Sequence, residues 1–152
     1  MRIITQNVTK ASVTIENKLF SEIATGFLLL VSFTNGDNKE IIDKMIHKLI
    51  NLRVFPDENM KTNLSIQDIG GSFLSVSQFT LYADCIGGNR PSFIKNCLNP
   101  QEATKLYDYF NEELAKTSGL VVKTGIFGAD MKVNLINDGP FTIMLDSKEL
   151  FK

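Results

Sequence analysis

A chain of 152 residues, 43% hydrophobic and 22% charged, has the make-up of one compact globular domain. Sixteen basic against seventeen acidic residues give a net charge of −1, and with no basic cluster of five or more this excludes the strongly basic footprint of a general nucleic-acid binder. The longest apolar run, Phe27–Val31, is strand length against the roughly 20 residues that span a bilayer, and Met1–Gln6 lacks the pattern of a signal peptide. The expectation is a soluble, cytoplasmic protein with no membrane partner.

In chain order, strand signals cover residues 1–8, 11–16, 19–24 and 26–33. Asn35-Gly36 then turns the chain, and Asp37 or Asn38 caps a helix. In it Ile41, Ile42, Met45, Ile46, Leu49 and Ile50 recur at intervals of three and four, one apolar stripe suited to lying on a sheet. Gly70-Gly71 precedes a strand over 72–82. A second helix opens with Asn99 as N-cap, Pro100 at its first position and Glu102 placed to close a capping box. Its stripe runs Ala103, Leu106, Tyr107, Phe110 and Leu114, and Ser118-Gly119 ends it. Strands over 120–126, 131–137 and 141–146 follow. So many strands cannot all be covered on one side by two helices, so a second sheet layer is required. The fold class expected is α/β: a single domain over residues 1–152, with two β-sheet layers, barrel-like, and two amphipathic helices packed outside, a three-layer β/β/α arrangement. No internal repeat, low-complexity tract or linker divides it.

The chemistry-bearing segments are Ser77-Gln78-Phe79-Thr80-Leu81-Tyr82-Ala83-Asp84 and Asn137-Asp138-Gly139-Pro140-Phe141-Thr142. Read alone, the first is also a plain half-buried strand, hydroxylated on one face, and Gly-Pro also marks an ordinary turn. A nucleophilic hydrolase needs a base beside its nucleophile. The only histidine, His47, falls on the polar side of the first helix, so a Ser-His-Asp triad is excluded. Cys85 and Cys97 are expected to be free thiols. With one histidine they make no zinc spacing, and neither metal nor cofactor is expected.

Together and in this order the two segments resemble the signature of the D-aminoacyl-tRNA deacylase family. The resemblance extends through Gln6-Asn7-Val8, Ala11-Ser12-Val13, Asn51-Leu52-Arg53-Val54-Phe55 and Gly70-Gly71. It continues through Gly88-Asn89-Arg90-Pro91-Ser92-Phe93 and Lys123–Met131, and so covers nearly the whole chain. It implies the same architecture and a hydrolase that releases D-amino acids from tRNA. The substrate ester is already activated, so a placed water and donors aimed at the developing oxyanion suffice. On the resemblance Ser77, Gln78, Phe79 and Thr80 line the reaction site, catalysis resting largely on backbone groups and the substrate's own 2′-hydroxyl. Thr80 is the candidate nucleophile of such proteins. Phe127, Gly128, Ala129 and Met131 resemble the part of the pocket that receives the terminal adenosine, for which an aromatic ring and a thioether are suited; the five residues 127–131 read equally as a glycine-kinked core strand. Gly139 and Pro140 resemble a Gly-cisPro motif inserted from one subunit into the site of the other, which implies an obligate homodimer. That motif receives the substrate amino group and leaves no room for an L side chain, and glycyl-tRNA becomes a side substrate. The implied partner is the acceptor end of D-aminoacyl-tRNA.

Two positions depart from the family pattern. Asn7 stands where an arginine that braces the Gly-Pro loop is usual, and asparagine lacks its charge and bidentate reach. Phe141 follows Pro140 where a smaller branched residue is more common. Gly87-Gly88-Asn89-Arg90 reads either as a loop for acceptor-stem phosphates or as a solvated loop. Two other functions fit the same residues: a related deacylase editing an L or achiral amino acid, and a non-catalytic module for the tRNA 3′ end.

Overall fold

The computed structural model describes all residues, 1–152. Strands β1 (Arg2–Ile15), β2 (Lys18–Ile23) and β3 (Gly26–Ser32) are followed by helix α1 (Lys39–Ile50) and a small hairpin, β4 (Phe55–Pro56) with β5 (Thr62–Leu64). Then come β6 (Ser72–Ser77), a 3₁₀ turn (Phe79–Tyr82), α2 (Pro100–Ser118), β7 (Val122–Thr124), β8 (Lys132–Asp146) and the short α3 (Ser147–Leu150). The main sheet runs β2-β1-β3-β6-β7, with β8 along the other edge of β1. β1 is antiparallel to β2, β3 and β8, whereas β3, β6 and β7 are mutually parallel and joined by crossovers carrying α1 and α2. Ser21 Oγ on β2 donates to the Thr124 carbonyl of β7 at 2.8 Å, so the first and last strands of the sheet meet in a nearly closed barrel.

Strand periodicity divides the core between the two faces of this wall. Val8, Ala11, Val13, Ile23, Leu28, Leu74 and Val76 fill the barrel interior. Alternate residues Phe27, Leu29, Val31 and Phe73 point outward into a larger cluster with Ile42, Met45, Ile46 and Leu49 of α1 and Tyr107, Phe110 and Leu114 of α2. Each fully buried side chain of this size, such as Phe27, Phe73 or Phe110, contributes about 1.5–3 kcal/mol relative to its exposed state. Asn38 caps α1 by accepting from Ile41 N–H, and Asn99 caps α2 by accepting from Glu102 N–H at 3.0 Å. The Glu102 carboxylate takes a bond from the Asn99 amide at 2.7 Å, a side-chain version of the expected capping box. Gly119 closes α2 in the left-handed region, at φ +69°.

The barrel-like β/β/α architecture agrees with the sequence reading; the element list differs in six places. Residues 1–8 and 11–16 form the single strand β1, and 131–137 with 141–146 form the single strand β8, because each of these long strands pairs with the other along nearly its whole length. The strand expected over 72–82 ends at Ser77, where its pairing with the parallel neighbour β3 also ends, Ser77 standing opposite Val31. The strand over 120–126 shortens to Val122–Thr124 for the same reason, its pairing with β6 spanning three residues. The β4-β5 hairpin and the third helix carry too few residues to leave a periodic signal.

Candidate active site

Three parallel strands end side by side, and the segments that follow them enclose a cavity of about 580 Å³. Val31, Ser32 and Phe33 come from the end of β3, Val76, Ser77, Gln78 and Phe79 from the end of β6, and Phe127–Met131 from the loop after β7. Ligand sites at the carboxyl ends of parallel strands recur because the chain splays there and leaves main-chain groups free.

The floor is set by main-chain bonds. Gln78 N–H donates to the Val31 carbonyl at 2.8 Å, the last rung before the chain leaves the sheet. Leu81 N–H then bonds the Gln78 carbonyl and Ala83 N–H the Thr80 carbonyl, which winds Phe79–Tyr82 into the 3₁₀ turn. The first N–H groups of such a turn, those of Phe79 and Thr80, have no acceptor within it. Cys97 Sγ, 3.6 Å from the Phe79 carbonyl oxygen, closes the turn from the cavity side, and burial pushes its thiol pKa up. Phe79 leaves its ring largely exposed at the mouth, edge-on to Phe93 with centroids 5.0 Å apart.

The opposite wall is fixed by α2. Tyr107 OH donates to the Ser75 carbonyl at 2.7 Å, and burial raises its pKa despite that bond. Its ring meets Phe127 at a centroid distance of 6.0 Å, so the helix, β6 and the 127–131 loop hold one another. Gly125 is buried, and a Cβ there would lie 2.4 Å from Met131 Sδ, so only glycine lets the thioether pack where it does. Gly128 adopts φ +77°, and Ala129 N–H closes the turn onto the Ile126 carbonyl at 3.2 Å.

Ser77, Gln78, Phe79, Phe127, Gly128, Ala129 and Met131 are therefore brought together around one cavity. Thr80 and Gly139-Pro140 are not among its lining residues. Thr80 is exposed, and its Oγ1 accepts from the Gln78 amide. An amide is no base, so the threonine hydroxyl has no group beside it to take its proton. His47 is exposed on α1, outside the cavity. The one charged lining group, Asp130, is exposed and ion-paired to Lys132 at 2.9 Å. Sequence reasoning passed over Ser32, Phe93 and Cys97 as cavity residues. Phe93 was legible within the Gly88–Phe93 segment, but nothing local marks the other two.

Gly139 and Pro140 stand at a bulge of β8, joined by a cis peptide bond and exposed. Opposite the bulge the register jumps from Gln6↔Thr142 to Val8↔Asn137, so the extra residues of β8 loop out. Asn137 supports the loop from within, accepting from Phe141 N–H and donating to Thr142 Oγ1, both at 2.9 Å. Gln6 adds a bond to the same Thr142 hydroxyl at 3.2 Å. Asn7 turns away: it is buried, and its amide donates to the Val54 carbonyl at 2.8 Å. The loop is thus held by Asn137 and Gln6, and the Asn7 side chain bonds elsewhere. Phe141, the other departure, packs half-buried against the larger core cluster.

Comparison with known proteins agrees with this geometry. A family model described as D-Tyr-tRNA(Tyr) deacylase matches residues 4–146. The chain is 52% identical over 150 residues to a D-aminoacyl-tRNA deacylase of Listeria monocytogenes serotype 4a, covering 99% of this chain and 98% of the relative. It is 51% identical over 146 residues to one of Lactobacillus delbrueckii subsp. bulgaricus, covering 96% and 99%. Among solved structures, one named c-Myc DNA Unwinding Element Binding Protein superposes with a TM-score of 0.88 at 39% identity, covering 96% of this chain and 98% of that one. A probable eukaryotic D-amino acid tRNA deacylase, at 17% identity and a TM-score of 0.80, shares the fold. With the family model and these relatives spanning almost its full length, the chain belongs to the D-aminoacyl-tRNA deacylase family and is a hydrolase.

Proposed function

We propose that this enzyme, one catalytic domain over residues 1–152, cleaves the ester between a D-amino acid and the terminal ribose of tRNA in the cytoplasm, and that it rejects the L-ester by steric exclusion. The observation that carries the reading is the convergence of Ser77–Phe79 and Phe127–Met131 on one cavity without an imidazole or an unpaired carboxylate beside the hydroxyls. An aminoacyl ester is labile enough for this equipment. The adenosine lies along Phe127–Met131, the ester carbonyl sits over the start of the 3₁₀ turn, and the main-chain N–H groups of Phe79 and Thr80 are the donors for the developing oxyanion. Ser77 and Gln78 orient water, and the substrate's 2′-hydroxyl assists. Thr80 acts by position, because its hydroxyl lacks a base.

The Gly139-Pro140 loop is exposed and lies outside its own subunit's cavity, which supports its use as the chiral filter of a second copy. The homodimer has further support from β8. Its outer edge is unpaired over fifteen residues, and Ile136 and Met144 on it are 61% and 56% exposed, a combination that solution monomers avoid. Glycine has no side chain to exclude, so glycyl-tRNA is a slow side substrate. Incubating the enzyme with D-tyrosyl-tRNA and L-tyrosyl-tRNA in parallel tests this: rapid loss of the D-ester alone is the expected result. Loss of both esters would overturn steric exclusion, and loss of neither would overturn the reaction.

A further inference from the structure

Four consecutive residues at and just beyond the end of β3 hold the segments that build one end of the cavity. The Val31 carbonyl accepts from Gln78 N–H at 2.8 Å, and Ser32 Oγ donates to the Phe79 carbonyl at 3.5 Å. The Phe33 carbonyl accepts from Leu98 N–H at 3.4 Å, and Thr34 Oγ1 donates to the Asn96 carbonyl at 2.6 Å. Cys97 is thereby clamped through both chain neighbours, with its Sγ 3.6 Å from the same Phe79 carbonyl oxygen and 4.0 Å from that of Tyr82. We propose that Ser32 and Cys97 are positioning residues for the hydrolysis, fixing the plane of the Phe79–Thr80 peptide so that its N–H is aimed at the ester oxygen. This inference rests on the proposed reading of the Phe79 and Thr80 N–H groups as donors to the developing oxyanion.

The Phe79 carbonyl and the Thr80 N–H belong to one peptide unit, which is planar and trans, so they point in opposite directions and turn together. Donors that hold the carbonyl therefore set the direction of the N–H on the other side. Ser32 is 2% exposed and its hydroxyl has no other hydrogen-bond partner in the protein, so this buried donor is satisfied only with the Phe79 carbonyl in place. Burial pushes the Cys97 thiol pKa up, so at neutral pH it keeps its proton and acts as a donor.

Both contacts are long, and each adds little to stability. The barrier is more sensitive, because an oxyanion donor works only when it is already aimed where the charge develops. Ser32 and Cys97 also line the cavity, so direct contact with bound substrate is the competing role. Such contact acts on the ground state and appears in KM, whereas aim appears in kcat.

The test is steady-state hydrolysis of D-tyrosyl-tRNA by the wild type, Ser32→Ala, Cys97→Ala, Cys97→Ser and the Ser32→Ala/Cys97→Ala pair, with thermal melting of each. Expected is a fall in kcat of about threefold for each single alanine variant and about tenfold for the pair, with KM within about twofold of wild type. Cys97→Ser keeps a donor and recovers most of the Cys97→Ala loss. A pair whose kcat stays within about twofold of wild type, a loss carried by KM, or a serine no better than alanine at position 97 would overturn the role. If the pair does not fold, the single variants and the serine rescue decide by the same criteria. Absence of cleavage by the wild type is failure of the proposed hydrolysis itself, and it is read before any variant is compared.

Discussion

Gly125 shows how a single missing side chain shapes the site. Its absent Cβ leaves room for Met131 Sδ, which would otherwise be 2.4 Å away, yet the obstructing atom belongs to a flexible side chain that can swing aside. Gly125→Ala is therefore expected to raise KM for D-aminoacyl-tRNA severalfold while leaving kcat within about twofold, since the proposed function sets the thioether against adenosine and not against the ester. Steady-state kinetics with thermal melting as control checks this. Thr80 gives the opposite case. Its Oγ1 is an acceptor from Gln78, with no base to activate it. Thr80→Ala should keep its rate within about tenfold, whereas loss of a true nucleophile costs on the order of 10⁴ or more. A fall of that larger size in single-turnover hydrolysis would restore the hydroxyl as nucleophile.

At the scale of the element, the informative feature is the turn after β6. Phe79-Thr80-Leu81-Tyr82 is β-prone and reads as strand, but strand propensity is realised only where a neighbour offers a ladder. β3 stops at Ser32, so the chain closes onto its own carbonyls and Tyr82 is buried beneath the Arg2 guanidinium. That burial, with Asp37 and Asp146 adding to it, pushes the Tyr82 phenol well above its ordinary pKa. The parallel β3-β6 pair that positions the turn begins with Gly26 opposite Ser72. A Cβ on Gly26, at φ +157°, would lie 1.8 Å from the Ser72 carbonyl oxygen, which is backbone and cannot move aside. Gly26→Ala should cost about 4 kcal/mol or more and leave little folded protein. Tyr107→Phe is gentler: the Ser75 carbonyl loses its 2.7 Å bond from Tyr107 but keeps the one from Gly125 N–H at 3.1 Å, so the expected cost is about 0.5–1.5 kcal/mol in denaturant unfolding.

For the molecule as a whole, the N-terminal strand and the end of β8 are tied by charge. Burial would raise the Asp146 pKa, but the Arg2 hydrogen bond and the Lys148 N–H outweigh it, and the carboxyl is held below its usual value. A depressed carboxylate stabilises the fold above its unfolded pKa of about 3.9, and that contribution fades as pH falls through the lower folded value. Asp146→Asn should therefore be less stable than wild type by a roughly constant ~1–2 kcal/mol above pH 5, discounted because Arg2 is partly exposed. The gap should narrow as pH drops below about 4. A gap that widened in acid would contradict the pairing.

Much of this was legible in the sequence because it is written locally. Caps at Asn38 and Asn99 and the apolar stripes of α1 and α2 follow from spacing and backbone preference, and two stretches of chemistry-bearing residues stood out by composition. The lack of a base was legible too, since one histidine on a polar helix face leaves no triad. Only tertiary structure decided that β1 and β8 run unbroken, because each is completed by a partner more than a hundred residues away. It also decided that Asn7 bonds Val54 while Asn137 and Gln6 hold the Gly139-Pro140 loop, and that Ser32 and Cys97 join the cavity. Local sequence determines which conformations a segment prefers. Which groups meet across the molecule depends on register and packing between distant segments, and no single segment carries that information.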